Sequence, residues 1–391
     1  MVWWADRRPR RIINEHSRQA NGPRPASDTF PPMRLKRLEQ RWRALWIRIL
    51  VRLMRRPSAS ESRPAWNSRP FRVLFLRHDR AGDMVVSTGV MRGIARSHAT
   101  ITLDVLASPA NASIIEGADY VHEIVVFNKK KLGDYLPTLF RLQRARYDAV
   151  VDCMVTAPSV TTLLLILASG ARYRVGIAGR GNDAAFNVTV PAEARAGAHM
   201  VDLLAALASA FDVSLDDNDR HPVLAVTDEE RHRAETVWGN GFRALINISA
   251  GTSERDWSDD RYAEVMKHLS EGQPDIALRV IASPTDADRA QRIARDGGGV
   301  YARTPTIRDA FALIATADFV FTPDTSIAHA ASAFRIPTVA IYVRGKSERW
   351  GLYGTVGENV EHREPNFETL DVNVVTAAID RVLANVVSRR A

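Results

Sequence analysis

"FLRHDRAGDMVVSTGVMRGI", residues 75–94, decides how this chain folds. Arg72, Val73, Leu74, Phe75 and Leu76 lead into it as a buried strand, and Met84, Val85, Thr88, Met91 and Ile94 then recur at helical spacing. The turn between them spends Arg77, His78, Asp79, Arg80 and Asp83 within seven positions. Gly82 permits a tight or left-handed turn, and Asp83 then stands where a carboxylate can cap the free N–H groups of a helix start. A second reading competes with the cap. In parallel α/β sheets, ligands gather outside the carboxyl ends of the strands, which is where this turn lies.

Outward from that unit, the chain keeps alternating short β-branched runs with helical patterns, the mark of a parallel sheet covered by helices on both faces. Strands are predicted at 72–77, 101–106, 122–127, 148–153 and 172–176. A second series opens at "RALINIS" near residue 243 and runs through "ALRVIAS", "FVFTP" and "PTVAIY". The pattern predicts two doubly wound α/β domains in tandem, 71–226 and 227–370, followed by a C-terminal helix over 371–391. The boundary falls near His221 to Thr227, where a polar turn passes through a short extended run into a helix.

Composition narrows the function. The 391 residues carry a net charge of +8, but residues 1–70 hold 17 Lys and Arg against 5 Asp and Glu, so the rest of the chain carries −4. A mildly acidic body argues against a general nucleic-acid surface. The single cysteine, Cys153, excludes an intrachain disulfide and any cysteine-based zinc site, and its place in a strand reads as an inert buried thiol. That usage suits a reducing cytoplasm. No run of about 18 apolar residues predicts a membrane span. The arginine-bearing start lacks the apolar segment of a signal peptide.

Two further loops carry chemistry. "SAGTSERDWSDDRY", residues 249–262, follows a strand and offers Thr252, Ser253 and Arg255 ahead of a helix beginning near Ser258. Hydroxyls, free N–H groups and a guanidinium are the inventory of an anion site, although Ser258 could also serve only as a helix cap. In "FTPDTSIAHAASAFRIPTVAIY", residues 321–342, Asp324, Thr325 and Ser326 open a helix that carries His329 in its second turn. A helix N-terminus can hold a phosphate without a glycine-rich loop. His329, among alanines, reads equally as a core histidine.

The order of these elements resembles glycosyltransferase family 9, the bacterial heptosyltransferases of lipopolysaccharide core assembly, over residues 71 to about 355. Asp-Thr-Ser-x-x-His at 324–329 is the most specific part of that resemblance. It implies a GT-B architecture, two Rossmann-like domains facing across a cleft, and an inverting transfer without a metal or cofactor. The co-substrate would be a nucleotide sugar, ADP-heptose by analogy, and the acceptor a lipid-linked glycan. Asp83 matches the family's catalytic base, and Arg255 stands where a basic residue, commonly Lys, precedes Trp257. Asp324, Thr325 and His329 match the donor-binding element, and "RWGLYG", 349–354, the aromatic-glycine segment after it. Arg77, His78 and Arg80 beside Asp83 would suit an anionic acceptor. Ser326 replaces a frequent Gly, Gly89 a Pro, and Val343, Arg344 and Gly345 a Gly-Pro-Thr turn. Alternatives are a GT-B relative using another nucleotide sugar, such as an epimerase, and an inactive nucleotide-sugar-binding scaffold.

Residues 1–70 read as a basic, largely disordered extension containing one amphipathic helix, 33–57. Leu35, Leu38, Trp42, Leu45, Trp46, Ile49 and Leu53 form an apolar stripe, and Arg37, Arg41, Arg48, Arg52 and Arg55 a basic one. Nine basic residues against Glu39 alone are too many to span a bilayer. They predict a helix lying on the anionic inner face of the cytoplasmic membrane. The competing expectation is that the apolar stripe packs on the protein body.

Overall fold

A computed structural model describes residues 33–54, 63–155, 159–179, 183–191, 198–252 and 255–390. Its first sheet contains β1 (Phe71–Arg77), β2 (Ile101–Ala107), β3 (Glu123–Val126), β4 (Ala149–Asp152), β5 (Tyr173–Ile177) and β6 (Val188–Val190). Its second contains β7 (Phe242–Asn247), β8 (Ile276–Ile281), β9 (Val300–Tyr301), β10 (Phe319–Pro323), β11 (Thr338–Val343) and β12 (Gly357–His362). The first runs β3-β2-β1-β4-β5-β6 and the second β9-β8-β7-β10-β11-β12, every pairing parallel. This is the Rossmann strand order, used twice.

The helices are α1 (Met33–Met54), α2 (Ala81–Ser97), α3 (Tyr135–Ala145), α4 (Val160–Ser169), α5 (Met200–Ala205), α6 (Asp217–Arg220) and α7 (Asp228–Val237). The second domain adds α8 (Asp259–Gly272), α9 (Ala287–Asp296), α10 (Ile307–Ala315), α11 (Ser326–Ala333), α12 (Ser347–Trp350) and α13 (Val372–Arg390). Both faces of β1 are covered. Val73 and Phe75 join the core under α2, while Leu74 and Leu76 join the core under α3 and α4, which is why a central parallel strand reads as unbroken apolar sequence. The five residues picked out as the buried face of α2 are all completely enclosed. The core around α2 continues into α10 and α11, so an apolar seam joins the two domains.

Three strands escaped the sequence reading: β6, β9 and β12. Each ends a sheet, and β9 and β12 are half-exposed, so they lack the apolar run that marks a central strand. The extension also ends earlier than expected. Trp66 is buried against Phe71, Tyr173 and Phe211, and its indole N–H donates to the Ala210 carbonyl at 3.0 Å. Residues 63–70 therefore belong to the first domain. Helix α1 docks on α4 through Leu50, Val51 and Met54, with the Arg174 guanidinium donating to the Met54 carbonyl. Of the stripe picked out by helical spacing, Trp42, Leu45, Trp46, Ile49 and Leu53 stay exposed and do not dock. Residues 1–32 and 55–57 lie outside the described residues.

Candidate active site

The β1–α2 turn arrives where the sequence predicts, with one change of role. Asp83 is the third residue of α2, and Arg80 occupies the N-cap position without a side-chain cap bond. Gly82 has no left-handed backbone angle, so its lack of a side chain serves another purpose. A Cβ placed there would lie 2.8 Å from Cδ2 of His329 and 3.6 Å from the Ser326 Cα. The glycine lets the turn of the first domain press directly onto the start of α11 in the second. Gly82→Ala should therefore pry the two helices apart, costing about 1–3 kcal/mol as overpacking does. Calorimetric melting and turnover should both fall, whereas a glycine kept only for its turn would tolerate alanine at this ordinary backbone conformation.

Burial, then the negative charge of Asp79, pushes the Asp83 carboxyl up to about 6. Arg77, Arg80 and a hydrogen bond from the Arg80 backbone N–H oppose the rise. A carboxylate with this pKa is mostly ionised at neutral pH yet basic enough to accept a proton. Asp79 is itself raised by burial and paired with Arg77, whose Nη1 lies 3.0 Å from it.

The basic residues around Asp83 divide sharply. Arg77 is enclosed, donating to Ser87 Oγ at 2.7 Å and to Asp79, and His78 is enclosed beside Thr162 and Phe127. Burial and Lys129 push the His78 ring down to about 4, so it is neutral at physiological pH. Neither side chain is presented to an incoming acceptor, contrary to the sequence expectation. The strand's alternation, continued one residue past β1, turns both of them inward. Arg80 alone is exposed, and its charge acts on Asp83 and on Asp324 of the other domain.

The second domain supplies the facing wall. Asn247, at the end of β7, donates to Thr322 Oγ1 at 2.9 Å and Thr325 Oγ1 at 3.2 Å, tying together the ends of β7 and β10. Thr325 caps α11 by accepting from the Ile327 N–H. Asp324 is buried and raised by desolvation, and Arg255 holds it with Nη1 2.8 Å from its carboxylate and 3.2 Å from its carbonyl oxygen. Lys346 also acts on Asp324. His329 is buried and its ring makes no hydrogen bond among the described residues; burial and His199 push it down to about 3. It is a neutral ring between Gly82 and Trp350, whose ring centre lies 6.0 Å away.

Thr252 has a buried hydroxyl with no partner among the described residues, and so does Tyr342, which sits electrostatically beside Asp324 and Arg255. Ser253 lies outside the described residues. Trp257 is a core residue packed on Tyr262 and Phe321, and Ser258 precedes α8 without a side-chain cap bond. Cys153 is buried, its thiol pushed up to about 12, which makes it inert.

Sequence reasoning named Asp79 without giving it a role and missed Asn247, Tyr342 and Lys346. All four stand in or just after a strand's carboxyl end, so position was the available signal. It also missed His199, which bonds the Gly351 carbonyl at 3.0 Å and stacks on Tyr353 across the seam. Among the described residues, one cluster has metal-like spacing: Asp104, His122 and Glu123. It lies toward the amino ends of the strands, away from Asp83, and Arg72 already bridges both of its carboxylates.

Residues 139–374, from α3 through the second domain, match the model of glycosyltransferase family 9 (heptosyltransferase). A family 9 glycosyltransferase structure from Veillonella parvula is 14% identical with a TM-score of 0.70, over 82% of this chain and 99% of that one. Two Escherichia coli structures are each 17% identical, over 80% of this chain and 99% of theirs. They are the ADP-heptose heptosyltransferase II, at a TM-score of 0.65, and the heptosyltransferase WaaC with ADP, at 0.66. These likenesses show a shared GT-B fold. The family match encloses Arg255, Asp324, Thr325, Ser326 and His329, while Asp83 precedes it and rests on geometry alone. With well over half of its length matched and both domains in place, this chain belongs to glycosyltransferase family 9 and is a glycosyltransferase of GT-B architecture.

Proposed function

We propose that the enzyme transfers a heptose, with inversion and without a metal, from ADP-heptose to a lipopolysaccharide core or related lipid-linked surface glycan at the inner face of the cytoplasmic membrane. The supporting observation is the meeting of Gly82, the residue before Asp83, with Ser326 and His329, which sets the turn that carries a proton acceptor against an anion-binding helix start of the other domain. An acceptor hydroxyl oxygen attacks the anomeric carbon, and its proton passes to an Asp83 carboxylate oxygen. The bond from that carbon to the diphosphate oxygen breaks, and the electron pair leaves with the nucleoside diphosphate.

The charge that develops on the leaving group needs preorganised positive potential. The N–H groups at the start of α11 provide part of it, with Thr325 orienting that turn. Arg255 and Lys346 provide more. Arg255 commits Nη1 to Asp324 and keeps Nε and Nη2 uncommitted among the described residues. Arg80, exposed between the two walls, is the acceptor-side cation, while Arg77 and His78 serve behind it to fix the turn. His329 stays uncharged and, packed between Gly82 and Trp350, keeps the interior beneath the start of α11 dry.

The deciding experiment incubates the purified protein with a panel of sugar nucleotides and truncated core acceptors, and weighs the products. A mass gain of one heptose only with ADP-heptose supports the reading. Transfer of another sugar overturns the donor, and turnover of the nucleotide sugar without any acceptor favours the epimerase alternative.

A further inference from the structure

Exposed apolar side chains are not scattered over this molecule. Among the described residues, nine of the twelve large ones belong to one side of the first sheet, leaving only Val126, Val300 and Val374 elsewhere. Trp42, Leu45, Trp46, Ile49 and Leu53 project from α1, Leu132, Leu136 and Phe140 from α3 and the turn before it, and Leu167 from α4. Helix α4 packs against both α1 and α3, and its ten residues contain no ionisable group. The three helices share the core that includes Leu74 and Leu76. An apolar strip therefore runs across them rather than along one helix.

Charge frames that strip with one sign. Lys129, Lys130 and Lys131 precede Leu132, and Arg141, Arg144 and Arg146 follow Phe140, against Asp134 alone. On α1, residues 41–54 carry four arginines and no acid. The rest of the body from residue 71 is acidic, so this basicity is local. Docking through Leu50, Val51 and Met54 anchors α1 to the body and leaves its Trp and Leu face outward. The helix is thus fixed at one stripe and open at another.

We infer that α1, α4 and the Lys129–Phe140 segment form one composite face that docks on an anionic phospholipid bilayer, with Trp and Leu side chains in the headgroup boundary and Lys and Arg against the phosphates. Two separate elements fix an orientation, which a single amphipathic helix cannot do. The orientation has a consequence for the site. Lys129 acts electrostatically on His78 and Asp79, and Phe127 links the ring of His78 to Tyr135 of α3, so the face borders the β1–α2 turn. A bilayer held there would present a lipid-linked acceptor to the side of the cleft that carries Asp83. This last step rests on the proposed acceptor; the docking itself does not.

The test is co-flotation of the full chain with vesicles of phosphatidylglycerol and phosphatidylethanolamine, or phosphatidylcholine alone, at low and high salt. Variants are Trp46→Glu with Leu53→Glu on α1, and Leu132→Glu with Phe140→Glu on the other element. Wild type should float with the anionic vesicles only, and each pair should lower partitioning by at least about tenfold. Turnover with a soluble truncated acceptor should stay unchanged, which separates failed docking from a failed enzyme assignment. Normal flotation of the Leu132→Glu, Phe140→Glu protein would overturn the composite face and leave α1 as a lone anchor. Equal flotation with neutral vesicles would overturn the electrostatic half. A wild-type dimer that both pairs render monomeric, without flotation, would assign the face to a second copy of the chain.

Discussion

Asp83→Asn is expected to lower turnover by roughly 100- to 10,000-fold, the usual contribution of a positioned general base, while nucleotide-sugar affinity stays unchanged. The amide keeps the shape of the carboxyl group and its hydrogen bond to the Arg80 backbone but cannot take a proton. The wild-type rate should itself fall as pH drops through about 6, where Asp83 protonates. Stability should move the other way. Because the folded pKa is raised, the folded chain binds this proton more tightly than the unfolded one. The group's stabilising contribution is thus full below the unfolded value of about 4 and is lost as pH rises through about 6. Asparagine never carries the buried charge, so the variant should melt no lower than wild type at pH 7.5. A variant that keeps most of its turnover with an unshifted pH profile would reduce Asp83 to a helix-start residue.

Arg255→Ala should damage both stability and donor binding, and the two losses are separable. Asp324 is buried and Arg255 is its direct partner, so alanine strands a carboxylate in the interior. Removing one member of a buried ion pair costs about 3–5 kcal/mol, and the lower end applies here because Arg255 is partly exposed. The added variant Asp324→Asn should restore most of the melting temperature. It should not restore nucleotide-sugar affinity, measured by calorimetry, because the guanidinium that meets the phosphate is still missing. Arg255→Lys should recover part of both, its point charge reaching the carboxylate without the planar fork. Full recovery of affinity in the Arg255→Ala, Asp324→Asn protein would show that Arg255 only holds Asp324 in place.

Where sequence and structure part company, the divide follows the range of the interaction. The doubly wound fold was legible because central strands such as β1 and β7 are buried on both faces, and such strands must be spelled in unbroken apolar residues. The alternation of those strands with helices then left few topologies. Edge strands β6, β9 and β12 were not legible, since short or half-exposed segments carry no such run. Asp83, Arg255, Asp324, Thr325 and His329 could be picked out because each follows a strand's carboxyl end or opens a helix there.

What each of them faces was a different matter. Arg77 and His78 are buried because helices cover both faces of the sheet at the end of β1, and the exposure of Arg80 depends on which way the turn rotates; local spacing fixes neither. The pressure of Gly82 on His329 joins residues nearly 250 positions apart. Likewise the sequence alone determined that α1 is amphipathic and basic. Only the tertiary structure decided which stripe it buries, because Leu50, Val51 and Met54 find an apolar partner in α4 that no helical periodicity can announce.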